Sequence, residues 1–341
     1  QDMNVLLSNI SEIESELGSV DNTIQLYYSW FTQINFDVID LQYNLSMVWD
    51  AIFELESDLA TAMSCQLGRY AYCAGADLSG MNLSGMDLTG IDLRGANLQN
   101  ATFDYATLDG ADLRSIVAMN ASFVHTGINK TYLQNAEFNR YSLSECNGFC
   151  GAANLSNAYL NDAYLTNAYF YGADLTGADL TYAVLTGADL RYADLTGADT
   201  RYAVLTGADL GDAVLTGADL RYADFTGADL VNADLTAADL RQSVLTNANL
   251  NYANLTNADL LRADLTDTNL AAANLNNAFL YTADLTDAWM VSANLTGANF
   301  RYADLTDADF TSATVTNADF RDTTWSNTIW TDGVAYDTNQ T

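Results

Sequence analysis

Residues 185–210 read LTGADLRYADLTGADTRYAVLTGADL. Leu185, Leu190, Leu195, Leu205 and Leu210 fall five apart, and Ala188, Ala193, Ala198, Ala203 and Ala208 keep the same step. A period of five fits neither a helix, at 3.6, nor a plain strand, at 2. A small and a large apolar residue at fixed offsets can fill a narrow interior layer by layer. No pentad can bury its Leu alone, so stability must come from stacking.

The pattern spreads outward from there. Ala, then Asp or Asn, then Leu, then two variable residues recurs from Ala76. Fourteen central residues run from Leu78 to Leu143 and thirty-six from Leu155 to Trp330, with a two-residue slip across SECNGFCGAA between them. The motif A(D/N)LXX over residues 76–330 resembles the pentapeptide-repeat family. The resemblance implies an all-β right-handed quadrilateral β-solenoid with four pentads per turn, the central residue and the small residue two before it facing inward. Some members of that family resemble duplex DNA in shape and charge and bind type II topoisomerases.

Four pentads per turn would stack residues twenty apart, so the outward letters sort into columns. Arg201, Arg221, Arg241, Arg301 and Arg321 share one face with Tyr202, Tyr222 and Tyr302, and a column of Asp runs beside them. They could neutralise the neighbouring Asp column or form a lateral contact surface, since Tyr and Arg favour interfaces. Thr176 to Thr316 and Thr186 to Thr306 form two further ladders, as β-propensity and cross-rung hydrogen bonding would favour.

Residues 1–67 carry a different period. Leu6, Ile10, Ile13, Leu17, Val20, Ile24, Tyr27, Phe31, Ile34, Val38, Leu41, Leu45, Val48, Ile52, Leu55 and Leu59 alternate at steps of four and three. Such a seam predicts a long α-helix, forming a coiled coil or a bundle. Trp30, Trp49 and Phe53 lie off the seam, so the helix would be buried on several sides. The oligomerisation residues expected are Ile10, Ile13, Leu17, Ile24, Trp30, Phe31, Ile34, Val38, Leu41, Leu45, Trp49, Ile52 and Phe53. The expected fold class is therefore this N-terminal helix followed by the solenoid. The organisation is 1–67 for self-association, 68–151 as an irregular repeat block ending in a Cys-containing junction, 152–331 as the regular solenoid, and 332–341 as a polar tail.

Composition narrows the function classes. The chain has 341 residues, no proline, 44 acidic and 12 basic residues, and a net charge of −32. An absence of Pro suits long arrays that need every backbone donor. A strongly acidic surface argues against direct binding to nucleic acid or anionic membranes. No apolar run approaches the ~20 residues needed to span a bilayer. Cys65, Cys73, Cys146 and Cys150 allow three pairings, of which sequence neighbours are the simplest. Their spacing and the single His125 do not suggest zinc; disulfides would place the chain in an oxidising compartment. With Gln1 as a mature N-terminus, a secreted, extracellular or cell-surface protein is expected. Asn82, Asn100, Asn120, Asn129 and Asn154 stand in N-x-S/T triplets and are candidate glycosylation sites. Trp325, Trp330 and Tyr336 would cap the solenoid or join it to a second subunit.

No catalytic constellation, metal set, cofactor or phosphate-binding loop is present in the sequence, so no enzyme is expected. The expected role is a self-assembling structural subunit of an extracellular filament, fibre or appendage, its partner being itself, with glycans and divalent cations as further candidates. The alternative is a DNA mimic that binds type II topoisomerase; the third reading is an adhesin or receptor-binding spike.

Overall fold

The computed structural model describes residues 65–138 and 153–338. Over them the chain winds as a four-sided β-solenoid. Isolated parallel bridges join the Asp or Asn column to the residue twenty places on, as in Asp179↔Asp199↔Asp219↔Asp239↔Asp259. Each rung is thus four pentads, and four columns define four faces. In the C-terminal block the first face runs through Asn154, Asp174 and Asp194, the second through Tyr159, Asp179 and Asp199, the third through Tyr164, Val184 and Val204, and the fourth through Tyr169, Asp189 and Asp209.

The interior follows from the repeat. Central Leu and Phe residues are buried from Leu78 to Phe320, and so are nearly all the Ala two before them, with Ala76 and Ala318 near the ends only partly buried. Phe rings stack along it, as Phe103 on Phe123 and Phe138 on Phe170, both at 4.9 Å. Where Thr or Ser replaces the inward Ala, its hydroxyl donates to a backbone carbonyl: Thr126 to Phe103, Ser243 to Leu240, Thr268 to Leu245 and Thr328 to Leu305. Buried hydroxyls are thereby satisfied, as a dry core requires.

Each corner is a β-turn. The N–H three residues after a central residue donates to that residue's carbonyl, as Ala178 to Leu175 at 3.0 Å. The second variable residue takes positive φ, for example +65° at Gly177. That conformation suits Gly or Asn. Tyr182, Tyr202 and Tyr222 nevertheless occupy it at φ of 59°, 60° and 61°. Their rings stack on one another at 4.9 and 4.7 Å, which offsets the backbone cost.

The ladder crosses the two-residue slip without a break. Ser122 bridges Asn154 and Glu137 bridges Tyr169, a step of thirty-two in place of twenty. The Ala153 N–H donates to the Phe138 carbonyl at 3.0 Å, so the corner bond survives although fourteen residues lie between its partners. Twelve residues are therefore inserted at one corner, two whole pentads and the two extra residues seen as a slip. The register position expected for Leu143 is filled by Leu155; Leu143 itself lies outside the described residues.

The expected fold class is corrected. Among the described residues there is no helix, and the supported fold is the solenoid alone. The helix expected over 1–67 falls on residues 1–64, which lie outside the described residues, and on Cys65–Leu67, which have no helical structure. The disulfide between Cys65 and Cys73, with Cα atoms 5.4 Å apart, ties those last residues to the first rung. It is the neighbour pairing that the cysteine spacing offers first.

At the C-terminus, strands β1 (Thr328–Ile329) and β2 (Ala335–Tyr336) pair antiparallel. Trp330 lies 5.2 Å from Phe320, 5.6 Å from Phe310 and 4.9 Å from Trp325. This aromatic cluster covers the last turn, and the Tyr336 hydroxyl donates to Asp332 at 2.9 Å.

Candidate interaction surface

The outward Asp or Asn of each pentad has a structural task. Its Oδ1 accepts the backbone N–H two residues on, as in Thr176 to Asp174 at 3.0 Å and Thr256 to Asn254 at 3.3 Å. The neighbouring Thr hydroxyl often donates to the same carboxylate, as Thr236 to Asp234 and Thr306 to Asp304. Many ladder threonines are thus engaged within their own pentad or with the next rung. These bonds hold carboxylates down: the Thr89 hydroxyl, then the Thr89 N–H, lower the pKa of Asp87. Asp and Asn both supply this acceptor, so the choice between them sets charge with little effect on the turn.

The sequence reading missed this turn cap. Its signal is the preference for Asp or Asn at one position, because those two residue types share a side-chain acceptor at that reach.

On the second face the charge is compensated. Arg201, Arg221 and Arg241 each form a fork with the Asp two residues earlier, at 2.6, 2.6 and 2.5 Å for the shorter arm. Each also reaches the Asp of the next rung, Asp219, Asp239 and Asp259, at 3.6, 3.5 and 3.6 Å. Arg321 pairs with Asp319 at 2.6 Å. The hydrogen bond from Arg321 holds the Asp319 carboxyl down at about 2. Arg301 departs from this pattern because Asn299 stands where an Asp would complete the fork. Its guanidinium lies over the Tyr302 ring at 5.3 Å and 3.6 Å from Asp322. The lateral residues therefore share a face, with Tyr202 and Tyr222 as its stacked edge.

The third face is different. Asp264, Asp284 and Asp304 form its bridge column, and Asp267, Asp287 and Asp307 occupy the left-handed position of the adjoining corner. Six carboxylates thus stand on three successive rungs. Among the described residues no ion pair involves any of them.

The other half of the same rungs carries no charge at all. Residues 249–257, 269–277 and 289–297 contain no Asp, Glu, Lys or Arg. Asn ladders replace the Asp columns: Asn269 donates to Asn249 at 3.1 Å, Asn274 to Asn254 at 3.2 Å and Asn294 to Asn274 at 3.0 Å.

The remaining expected sites are placed as follows. Asn82 is exposed in the bridge column and caps Ser84. Asn100 and Asn120 are exposed corner residues at φ of 58° and 56°, bonded to each other at 2.7 Å. Asn129 donates to Asp109 at 2.9 Å, and Asn154 caps Ser156. Ile10, Ile13, Leu17, Ile24, Trp30, Phe31, Ile34, Val38, Leu41, Leu45, Trp49, Ile52 and Phe53 lie outside the described residues, as do Cys146 and Cys150. Among the described residues no group of three or more His, Cys, Asp or Glu side chains is placed to hold a metal ion, and no helix is long and apolar enough to cross a membrane.

The chain matches the family model for pentapeptide repeats in eight copies, at residues 71–104, 96–126, 150–181, 168–199, 201–236, 228–267, 263–301 and 290–324. Among solved structures it is similar to a trypsin-treated form of QnrB1, a plasmid-mediated fluoroquinolone resistance protein, at 21% identity over 50% of this chain and 86% of that one, with a TM-score of 0.46. It is also similar to HetL, involved in heterocyst differentiation regulation, from the cyanobacterium Nostoc sp. strain PCC 7120. There the identity is 25% over 81% of this chain and 96% of that one, with a TM-score of 0.25. A third likeness is to Rfr23 from the cyanobacterium Cyanothece 51142, at 38% identity over 27% of this chain and 63% of that one, with a TM-score of 0.27. No curated protein sequence matches the chain.

Proposed function

Because the chain belongs to the pentapeptide-repeat family and concentrates unpaired carboxylates on one side of its solenoid, we propose that it is a non-catalytic binding protein that presents a duplex-like acidic surface to basic, DNA-binding proteins. The observation that carries this reading is the third face, with Asp264, Asp267, Asp284, Asp287, Asp304 and Asp307 on consecutive rungs.

Magnitudes agree in order. Fifty pentads make roughly 60 Å of solenoid at ~4.8 Å per rung. After position 67 there are 33 acidic and 12 basic residues, a net of −21. That is about one charge per 3 Å of axis, against one per ~1.7 Å in duplex DNA. Arg forks compensate the second face and also Asp92 and Asp112 earlier on the third face and Asp189 on the fourth, whereas Asp264 to Asp307 form no ion pair among the described residues, so the uncompensated charge there is local to these three rungs. The seam residues on which a filament role rests lie outside the described residues.

A competition assay tests the proposal. The full chain should inhibit DNA supercoiling by a type II topoisomerase, less so as salt rises. Replacing Asp264, Asp284 and Asp304 together by Asn keeps the turn acceptors and should abolish inhibition with an unchanged circular dichroism spectrum. No inhibition at micromolar protein, or full inhibition by the triple variant, would sink the reading.

A further inference from the structure

The uncharged half of the solenoid at residues 249–297 is unexplained by an acidic mimic. On the rungs before it the same half carries Asp209, Asp212, Asp229 and Asp234, and on the rung after it Asp309. The run of Asn on successive rungs occupies these three rungs on two adjacent faces. Asp would cap these turns equally well, as it does elsewhere.

A second observation marks the same place. Trp289 occupies the bridge column of the fourth face, where Asp or Asn is usual, and is 63% exposed. The corner residues around it are short: Ala271 and Ala272 on the rung before, Val291 and Ser292 on its own. On its other side the indole borders the acidic corner of Asp287, and Asp309 follows it on the next rung, so its open, uncharged side is the one that faces Tyr252. Tyr252, also 63% exposed, stands on the same half two rungs away, about 10 Å along the axis. The Asn amides and the Thr256 and Thr296 hydroxyls bond one another along the ladder and so form a polar but uncharged floor beside these rings.

We propose that this half is a binding site for an uncharged oligosaccharide. An exposed indole on a flat floor suits stacking against the apolar face of a sugar ring, with the amide rows meeting its hydroxyls. The absence of charge fits a neutral ligand: a carboxylate here would be desolvated by it without an ionic partner. Size argues against a second copy of the chain. Three rungs by two faces give on the order of 300 Å², well below the ~800 Å² per partner of a stable complex. The site shares no residue with the acidic third face, so it stands or falls separately from the proposed function.

The test uses the full chain with cellohexaose, N-acetylchitohexaose and maltohexaose, followed by calorimetry and tryptophan fluorescence, with polyglutamate as a charged control. Saturable binding of at least one neutral hexasaccharide is expected. Trp289→Ala should weaken it by about tenfold or more, as loss of an aromatic anchor does, with the unfolding temperature unchanged. Asn274→Asp should weaken it too, while Asp264→Asn should leave it alone. The proposal is overturned if none of the three sugars binds at millimolar concentration, or if Trp289→Ala binds as tightly as the parent. Self-association in sedimentation that Trp289→Ala abolishes would overturn it in favour of a second copy.

Discussion

The three turns between Asn249 and Asp307 have two halves with one interior. Leu265 and Leu270 are both fully buried, one under the six carboxylates and one under the uncharged amide rows. The corner bonds are alike, Thr268 to Leu265 at 3.1 Å and Ala273 to Leu270 at 3.1 Å. Only the outward letters differ. The repeat therefore separates two kinds of information: inward residues specify the solenoid, and outward residues specify what each side can touch. The acceptor shared by Asp and Asn is what makes the separation possible.

The largest effects should ignore the difference between halves. Leu265→Ala and Leu270→Ala should each destabilise by about 2–5 kcal/mol, the usual cost of a cavity under a buried Leu. Urea unfolding followed by circular dichroism checks this. Costs differing by more than about 1 kcal/mol would break the claim of a common interior.

A smaller effect should appear only on the uncharged half. Asn274 accepts from Asn294 and from the Asn276 N–H, and donates to Asn254 and the Thr256 hydroxyl at 3.2 and 2.8 Å. Asn274→Ala removes all four bonds and should cost about 1–3 kcal/mol, given ~0.5–1.5 per net bond and partial replacement by water. Asn274→Asp keeps the acceptors and loses only the donors, so its cost in thermal unfolding should be roughly half. Equal costs for the two variants would show that the turn acceptor contributes nothing.

Much of this architecture was legible in the sequence. The five-residue period located the inward residues, and residues such as Leu205 and Ala203 are buried where it placed them. Columns twenty apart followed by arithmetic, and the Arg201, Arg221 and Arg241 series does share a face. Three things were not legible. The slip before Leu155 is a twelve-residue insertion at one corner, because closure is set by backbone bonds between Phe138 and Ala153 and not by sequence phase. The acidic residues read as surface charge, whereas their first task is to cap turns. The uncharged half escaped notice because it is defined by residues missing from three separated stretches, which only stacking brings together.

On the compensated second face, substitutions should matter less still. Asp219→Asn removes the fork to Arg221 and the second contact of Arg201 but keeps the turn acceptor. Arg301 beside Asn299 already shows the result, a guanidinium turned to Tyr302 and Asp322. Both partners are partly exposed, so the cost should stay below about 1 kcal/mol and shrink in high salt. A larger loss would mean that the Arg column holds the rungs together and does more than neutralise them.

The smallest effect is a titration. Asp319 is held at about 2, mainly by the Arg321 side chain and then by the Arg321 N–H. A carboxyl depressed in the folded state adds stability above its unfolded value, near 3.8, and loses it as pH falls through the folded value. The window therefore runs from about pH 4 down to about pH 2. Because the Arg321 side chain is 71% exposed, solvent screens the pair and the thermal shift across this window should be slight. The carboxyl carbon of Asp319 reports the pair directly in an NMR titration, with a midpoint near 2 that Arg321→Ala should raise toward the ordinary aspartate value. The backbone donor survives that substitution, so the midpoint should stop short of the full return. A midpoint unmoved by Arg321→Ala would assign the depression to the turn N–H alone, and the second face would then differ from the third only in charge and not in how its carboxylates are held.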